Sequence, residues 1–194
     1  CQCFSIKELN FKLADIDYSY ETERLLVKEW HSFQEESHLS QNLPGIVKDI
    51  LTPAVTESLP PAWQGRYSID RARDWIKERD AEGVTLLVVE KSSMIPLGVV
   101  IIFDMSSSPD VAELRLGYVL SESAWGRGIG SELVQGLVSF CRNQPVLSIT
   151  GGVAKDNYAS KRILEKSGFV CDPETLNEEE QMYKLHLGPG NGDW

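Results

Sequence analysis

A run of alternating glycines, Trp125-Gly126-Arg127-Gly128-Ile129-Gly130, constrains this chain more than any other part of its sequence. The apolar residues 116–120 before the run are typical of a strand, and residues 130–143 after it have the apolar spacing of an amphipathic helix. Glycines allow a tight turn whose N–H groups point to one centre, with no Cβ to block an approaching anion. The sequence therefore predicts a strand, an anion-binding turn and a helix, in that order.

The turn carries positive charge in a chain that is otherwise acidic. A helix N-terminus supplies about half a unit charge, and Arg127 supplies a full one. We interpret the segment as a site for a phosphate or pyrophosphate group. Neither the dinucleotide pattern G-x-G-x-x-G nor the nucleotide loop G-x-x-x-x-G-K-[ST] fits, because the glycines alternate and no G-K-[ST] follows. The alternative is a tight turn whose glycines only relieve backbone strain.

The order of the remaining predicted elements indicates an α/β protein of the α+β type. Strands are expected at residues 21–30, 84–91, 97–105, 111–120, 146–153, 169–171 and 181–187. Helices are expected at residues 40–51, 69–81, 130–143 and 158–167. The 194 residues contain no repeat and no linker, so we predict a single domain with a core of about residues 21–187 and a flexible tail over 188–194.

Composition excludes two classes of protein. The 29 acidic side chains outnumber the 19 basic ones, which gives a formal net charge of −10 and argues against a nucleic-acid partner. The longest apolar runs fall far short of the roughly 20 residues that a membrane span requires.

The four cysteines and three histidines show no metal-ligand spacing, so we expect no metal. With no signal segment visible, we expect a cytoplasmic protein.

The glycine turn and a later segment together resemble the GNAT N-acetyltransferase superfamily. The turn is similar to that family's acyl-CoA-binding signature [Q/R]-x-x-G-x-[G/A], with Trp125 where many members have Gln or Arg. Asn157-Tyr158-Ala159-Ser160, followed by Gly168-Phe169, is similar to its N-x-x-[A/S]…G-F segment. The Trp-Gly-Arg-Gly turn and Thr22-Glu23-Arg24-Leu25 are similar to the Rim-type branch, which acetylates the N-termini of ribosomal proteins.

The resemblance implies a single mixed, mostly antiparallel sheet flanked by helices on both faces. It also implies transfer of an acetyl group from acetyl-CoA to a primary amine, either a protein N-terminus or a small amine, by a monomer or homodimer that needs no metal. Asn157 would contact the pantetheine arm or the substrate, and Ser160 would donate a proton to the departing thiolate. The other residues that it implies for CoA binding are Tyr118, Val119, Leu120, Trp125, Gly126, Arg127, Gly128, Ile129, Gly130 and Ser131.

The chain departs from the family pattern at the general acid. Many members carry a Tyr four residues after the Ser160 position, where this chain has Leu164. Glu113 is the candidate general base, since it alternates with Arg115 and both side chains should share one face of a strand. The alternative for Glu113 is a surface pair with a basic neighbour.

The acceptor amine is expected to enter between residues 43–67 and 172–180. There Trp63 and the run Glu178-Glu179-Glu180 would form an aromatic and acidic mouth for a cation, or the run would be only a solvated turn. Two other functions stay open from the sequence. The chain could bind acyl-CoA without catalysis, as a sensor or partner-binding module. It could also use another donor such as succinyl-CoA, because the turn contacts only the phosphates of CoA.

Overall fold

The computed structural model describes residues 16–33, 39, 42–108, 110–175 and 180–188. Within these residues one sheet has the order β1-β2-β3-β4-β5-β6-β8-β7. Its strands are β1 Tyr20–Glu21, β2 Leu25–Glu29, β3 Val84–Glu90, β4 Ile95–Asp104, β5 Ala112–Leu120, β6 Val146–Ala154, β7 Val170–Cys171 and β8 Glu180–His186. Strands β5 and β6 pair in parallel, and the other described pairs are antiparallel.

Helices cover both faces of this sheet. They are α1 Leu43–Ile50, α2 Pro53–Thr56, α3 Ile69–Glu82, α4 Ile129–Cys141 and α5 Tyr158–Lys166. One apolar cluster lies between the sheet and α4 with α5, and a second lies between the sheet and α1 with α3. Strand β5 serves both clusters, because Leu114 and Leu116 point into the first and Val119 into the second. The expected fold class, a mixed and mostly antiparallel sheet between helices, is confirmed.

Side-chain caps fix where two of the helices begin. The Ser68 hydroxyl accepts the Arg71 N–H at 3.1 Å at the start of α3, and the Asn157 carbonyl oxygen accepts the Ser160 N–H at 3.1 Å at the start of α5. Gly168 ends α5 with a left-handed backbone at φ 91°. These termini agree with the boundaries that the sequence predicts.

Three segments differ from the prediction. The expected strand 21–30 is split into β1 and β2, because residues 22–24 turn toward α4. The expected loop 52–67 contains α2, whose first turn is capped by the Thr52 hydroxyl at 3.3 Å from the Val55 nitrogen, and a 3-10 turn at Pro61–Trp63. Strand β4 begins two residues before the expected position. Glu178, Glu179 and residues 189–194 of the expected tail lie outside the described residues, and the single-domain organisation stays a prediction.

Two absences concern the described residues alone. None of the helices found there has both the length and the apolar character that a membrane crossing requires. The same residues contain no group of three or more His, Cys, Asp or Glu side chains placed to hold a metal ion.

Candidate active site

The two parallel strands at the centre of the sheet separate partway along their length. Their paired residues run from Ala112 with Val146 to Leu116 with Gly151, whereas β5 continues to Leu120. The gap beyond Leu116 opens into a cleft of about 610 Å³. Because the strands no longer pair with each other there, an extended ligand can add its own hydrogen bonds to the exposed strand edge.

Alternation along β5 decides which main-chain groups face the gap. At its two ends, the Met105 N–H donates to the Glu113 carbonyl at 2.7 Å and the Ser121 N–H donates to the Leu97 carbonyl at 2.8 Å. Odd-numbered residues of β5 therefore bond to β4, and even-numbered residues face β6. Val119, which the resemblance includes among the CoA-binding residues, thus directs its N–H and C=O to β4 and lines the cleft with its side chain.

Tyr118 and Leu120 direct their main-chain groups into the gap. One of these groups already has a partner, since the indole N–H of Trp125 donates to the Leu120 carbonyl at 3.1 Å. The Leu120 N–H and both main-chain groups of Tyr118 remain on the open edge. The half-exposed Trp125 side chain therefore covers part of the β5 edge, and it is not among the residues that line the cleft.

The glycine turn that follows leads directly into α4. Gly126 and Gly128 have left-handed backbones at φ 68° and φ 76°, a region that side chains with a Cβ rarely adopt. The Trp125 N–H donates to the Glu122 carbonyl at 3.1 Å, but the amides of residues 126–131 donate to no acceptor among the described residues. These six amides stand at the positive end of α4, so they are available to an anion.

The cations at the turn differ from the sequence prediction. The Arg127 guanidinium forms an ion pair with Glu90 and donates to the Ser123 carbonyl at 3.2 Å, so it is bound within the protein. Arg24 also lies over the turn, donating to the Arg127 carbonyl at 3.0 Å. Its Nη2 atom lies 3.7 Å from the position that a Cβ on Gly128 would take. Sequence reasoning missed this arginine as a charge at the turn, because it is distant along the chain.

Glu132 of α4 holds Arg24 in this position. Its carboxylate accepts from the Thr22 hydroxyl, from the Arg24 N–H at 2.8 Å and from the Arg24 Nε at 2.6 Å. Partial burial raises the pKa of Glu132, but the hydrogen bonds from Thr22 and Arg24 and the Arg24 charge outweigh burial and hold the pKa below its ordinary value. The segment between β1 and β2 is thereby attached to the first turn of α4.

Replacing Glu132 with glutamine is expected to lower the free energy of unfolding by about 1–3 kcal/mol at neutral pH. The folded-state pKa of Glu132 is lowered, so its carboxylate stabilises the fold above the unfolded-state value, and this contribution is lost as the pH falls through the lowered pKa. Urea unfolding of both proteins at about pH 7 and about pH 3 should show the difference shrinking in acid. Glu23→Gln, an exposed neighbour, is the control, and a difference unchanged by pH would contradict this account.

The cleft passes through the sheet, and its two sides differ in chemistry. The α5 side carries polar groups beside the core, namely Tyr118, Asn157 and Ser160, together with Leu164. The opposite side carries aromatic, apolar and charged groups, namely Trp63, Phe103, Met105, Arg115 and Glu180. Asn157 and Ser160 are thus brought together with the β5 edge, as the sequence predicts, while Tyr118 adds a side chain that the sequence reasoning did not consider.

The structure brings Glu180, rather than Glu113, to the cleft. Arg115 Nη2 lies 3.6 Å from Glu180 Oε1, and a Cβ on Gly152 would lie 2.0 Å from the same oxygen, so the carboxylate packs over the Gly152 backbone. Glu113 is absent from the described cleft wall, and its Oε1 lies 4.0 Å from Lys184 Nζ. That geometry corresponds to the surface pair considered as the alternative for Glu113.

Trp63 lies at the cleft, as expected for an aromatic mouth, but a ring face is already in use. The buried guanidinium of Arg79 stacks over the Trp63 ring at 4.3 Å from its centroid, and the Trp75 ring meets it edge-on at 5.4 Å. An attractive face that already holds a cation has less to offer a second one. In this structure Trp63 serves as an apolar wall.

Comparison with known proteins shows which family this chain belongs to. The profile of the family described as "Acetyltransferase (GNAT) domain" matches residues 39–170. A comparison with curated proteins finds no match to the sequence.

Solved structures share the fold at low sequence identity. An acetyltransferase of the GNAT family from Bacillus anthracis is 16% identical, with a TM-score of 0.69 over 87% of this chain and 98% of that one. An acetyl transferase from Salmonella typhimurium, described as modifying the N-terminal serine of ribosomal protein L7/L12, is 19% identical, with a TM-score of 0.61 over 85% and 96%. Spermidine N-acetyltransferase from Vibrio cholerae, solved with CoA and spermine, is 13% identical, with a TM-score of 0.65 over 86% and 97%.

Proposed function

Because the chain belongs to the GNAT acetyltransferase family, we propose that it transfers an acetyl group from acetyl-CoA to a primary amine, and that the two substrates meet in the gap between β5 and β6. The observation that carries this proposal is that the unpaired edge of β5 leads along the chain into a glycine turn whose amides, at residues 126–131, have no acceptor in the described protein. The amides fit a pyrophosphate group, and the strand edge fits a pantetheine arm.

The donor binds on the α5 side of the sheet. Arg24 and the turn amides hold the pyrophosphate, and the Tyr118 and Leu120 main chains bond to the pantetheine amides. A main-chain N–H of this edge polarises the thioester carbonyl and stabilises the oxyanion that forms on attack. The Asn157 amide nitrogen donates to the arm, since its carbonyl oxygen is used by the Ser160 N–H.

The acceptor enters from the opposite side, between Trp63 and Glu180. A protonated amine has no lone pair, so the site must take a proton from it before attack. Glu180 attracts the ammonium group and receives this proton directly or through water, and Arg115 holds the carboxylate in place. The amine then attacks the thioester carbonyl within a ternary complex, and close placement of the two substrates supplies much of the rate.

An acceptor screen tests the proposal. Thiol release from acetyl-CoA is measured with peptides that have free N-termini and with spermidine, since proteins of this fold are described as acting on these two kinds of amine. Succinyl-CoA is run in parallel to define the donor. Mass spectrometry of the product should show one added acetyl group. Binding of CoA without acceptor-dependent thiol release would contradict catalysis and favour the acyl-CoA sensor.

Ser160→Ala is expected to lower kcat by about 10-fold to 100-fold while the affinity for acetyl-CoA stays within about twofold. The hydroxyl donates toward the departing sulfur, a contact that strengthens only as the thiolate forms. Steady-state kinetics and calorimetry separate the two effects. Ser139→Ala, on the exposed face of α4, is the control. Full activity of the Ser160 variant would remove this residue from the mechanism.

A further inference from the structure

Two side chains of opposite charge lie beside each other on the acceptor side of the cleft. Arg115 of β5 and Glu180 of β8 are the only charged residues among the described ones that line the cleft. Arg115 Nη2 lies 3.6 Å from Glu180 Oε1, and both side chains are partly exposed. The acceptor side therefore offers a ligand one positive and one negative group, with no net charge.

The Arg115 guanidinium keeps its hydrogen-bond donors available. Its separation of 3.6 Å from Glu180 makes an ion pair but exceeds the roughly 2.7–3.2 Å of an ordinary N–H···O hydrogen bond. The side chain donates no hydrogen bond to any described residue, whereas Arg24 and Arg127 both donate to protein carbonyl groups. A guanidinium presents five N–H groups in a planar fork that matches a carboxylate. Arg115 can therefore bind a carboxylate that enters the cleft.

The same wall is poorly suited to an acceptor with several positive charges. The described wall has no second carboxylate for a further ammonium group, and Arg115 would repel one. The Trp63 ring already has the Arg79 guanidinium stacked over it at 4.3 Å from its centroid. The pairing of one carboxylate with one guanidinium instead favours an acceptor that carries an amine and an anionic group.

An α-amino acid has the matching spacing of charges. Standard bond lengths and angles place its nitrogen about 2.7–3.6 Å from its carboxylate oxygens. The two protein groups are 3.6 Å apart, so the ammonium group can face Glu180 while the carboxylate faces Arg115. Each charge then lies next to its opposite. A peptide N-terminus has a neutral carbonyl in place of this carboxylate, so it would give the guanidinium no charged partner.

The substituent on the α-carbon would meet an apolar surface. Trp63, Phe103 and Met105 line the same side of the cleft as the charged pair. An apolar substituent gains free energy by leaving water for such a surface, whereas a charged one would lose its hydration without gaining a partner. The wall therefore favours an amino acid with an apolar side chain.

We propose that the acceptor is a free α-amino acid with an apolar side chain, and that Arg115 binds its carboxylate while its amine faces Glu180. This inference rests on the proposed acetyl transfer and names its acceptor. Arg115 then determines specificity, in addition to attracting the Glu180 carboxylate.

The transfer step balances for this acceptor. The ammonium group first gives one proton to Glu180, directly or through water. The freed lone pair forms the new C–N bond, and the C–S bond breaks with its electron pair on sulfur. The nitrogen loses a second proton, and the sulfur takes one. The products are the N-acetyl amino acid, the thiol of CoA and one proton released to solvent.

The test compares two acceptors that differ only at the carboxylate. We measure kcat/KM for L-phenylalanine and for L-phenylalaninamide, at saturating acetyl-CoA, in the wild-type protein and in Arg115→Gln. The ratio of the two constants should fall at least about 10-fold in the variant, because a charged hydrogen-bonding partner is lost for phenylalanine alone. The difference in amine basicity between the acceptors is the same for both proteins, so it cancels. Any displacement of Glu180 slows both acceptors and also cancels.

Two further variants make this comparison specific. Arg115→Lys keeps the charge but loses the planar fork, so it should retain only part of the preference for the carboxylate. Lys184→Gln is the control, because Lys184 lies outside the described cleft wall and its Nζ is 4.0 Å from Glu113 Oε1. This variant should keep the wild-type ratio within about twofold.

A panel of acceptors for the wild-type protein completes the test. Phenylalanine should be acetylated at least about 10-fold more efficiently than aspartate, spermidine or phenylalanyl-alaninamide. An unchanged ratio in Arg115→Gln, or a preference for aspartate, spermidine or the peptide, would overturn this inference and leave acetyl transfer standing. Absence of acceptor-dependent thiol release with every amine would overturn both.

Discussion

Replacing Gly128 with valine is expected to raise the dissociation constant of CoA by at least about 100-fold, which corresponds to about 2.7 kcal/mol. Gly128 precedes α4 with φ at 76°, a conformation that costs an L-residue roughly 1–2 kcal/mol and a β-branched one more. The added carbons also enter the space between the turn and Arg24, where Nη2 lies 3.7 Å from the Cβ position. Relief of the strain rotates the first amides of α4 away from the anion. Calorimetric titration with CoA measures the change.

Gly188→Val provides a matched control for backbone strain. Gly188 has the same φ of 76°, and a Cβ there would lie more than 4 Å from the other described residues, its chain neighbours apart. This variant should lower the free energy of unfolding by a similar amount, and it should bind CoA with wild-type affinity. Unchanged affinity in the Gly128 variant, with its fold intact by circular dichroism, would contradict an anion site at the turn.

Glu180→Gln is expected to lower kcat/KM for a cationic acceptor by about 30-fold to 100-fold while CoA affinity stays unchanged. Two unit charges 4 Å apart attract by about 4 kcal/mol near a protein surface, and the partial exposure of Glu180 reduces this value. The amide also cannot take a proton from the ammonium group. Acetylation assays over a range of amine concentrations, at fixed saturating acetyl-CoA, measure the effect.

Two further variants make the test of Glu180 specific. Gly152→Ala retains the carboxylate but displaces it, because the new Cβ would lie 2.0 Å from Glu180 Oε1, so kcat/KM should fall in the same direction. Glu113→Gln removes the other candidate base from the same face of the sheet, outside the cleft wall. A larger loss in the Glu113 variant than in the Glu180 variant would reverse the assignment of the base.

Local signals predicted most of the fold. Some features depend only on residues close together in the chain, so they can be predicted from the sequence. They are the alternation along β5, the helix caps Ser68 and Asn157, and the left-handed Gly168 at the end of α5. The glycine turn is also predictable from local sequence. Gly126 and Gly128 have left-handed backbone conformations, which favour glycine whichever ligand the turn binds.

The parts that sequence reasoning missed depend on pairing between distant segments. Glu113 and Arg115 share a face as predicted, but whether a residue of β5 faces the gap depends on where its pairing with β6 stops. The approach of Arg24 to the turn depends on Glu132, which is remote in sequence. The pairing of the Arg127 guanidinium with Glu90 has the same origin. No local pattern encodes these contacts.

The cleft between β5 and β6 is lined by residues from both faces of the sheet. In the proposed function the donor occupies one side of this cleft and the acceptor the other. Either substrate can then arrive or depart while the other stays in place, so we expect random-order kinetics with intersecting double-reciprocal lines. A bisubstrate inhibitor that links the CoA sulfur to an amine would pass through the cleft between β5 and β6. It would combine the binding energies of both substrates in one molecule.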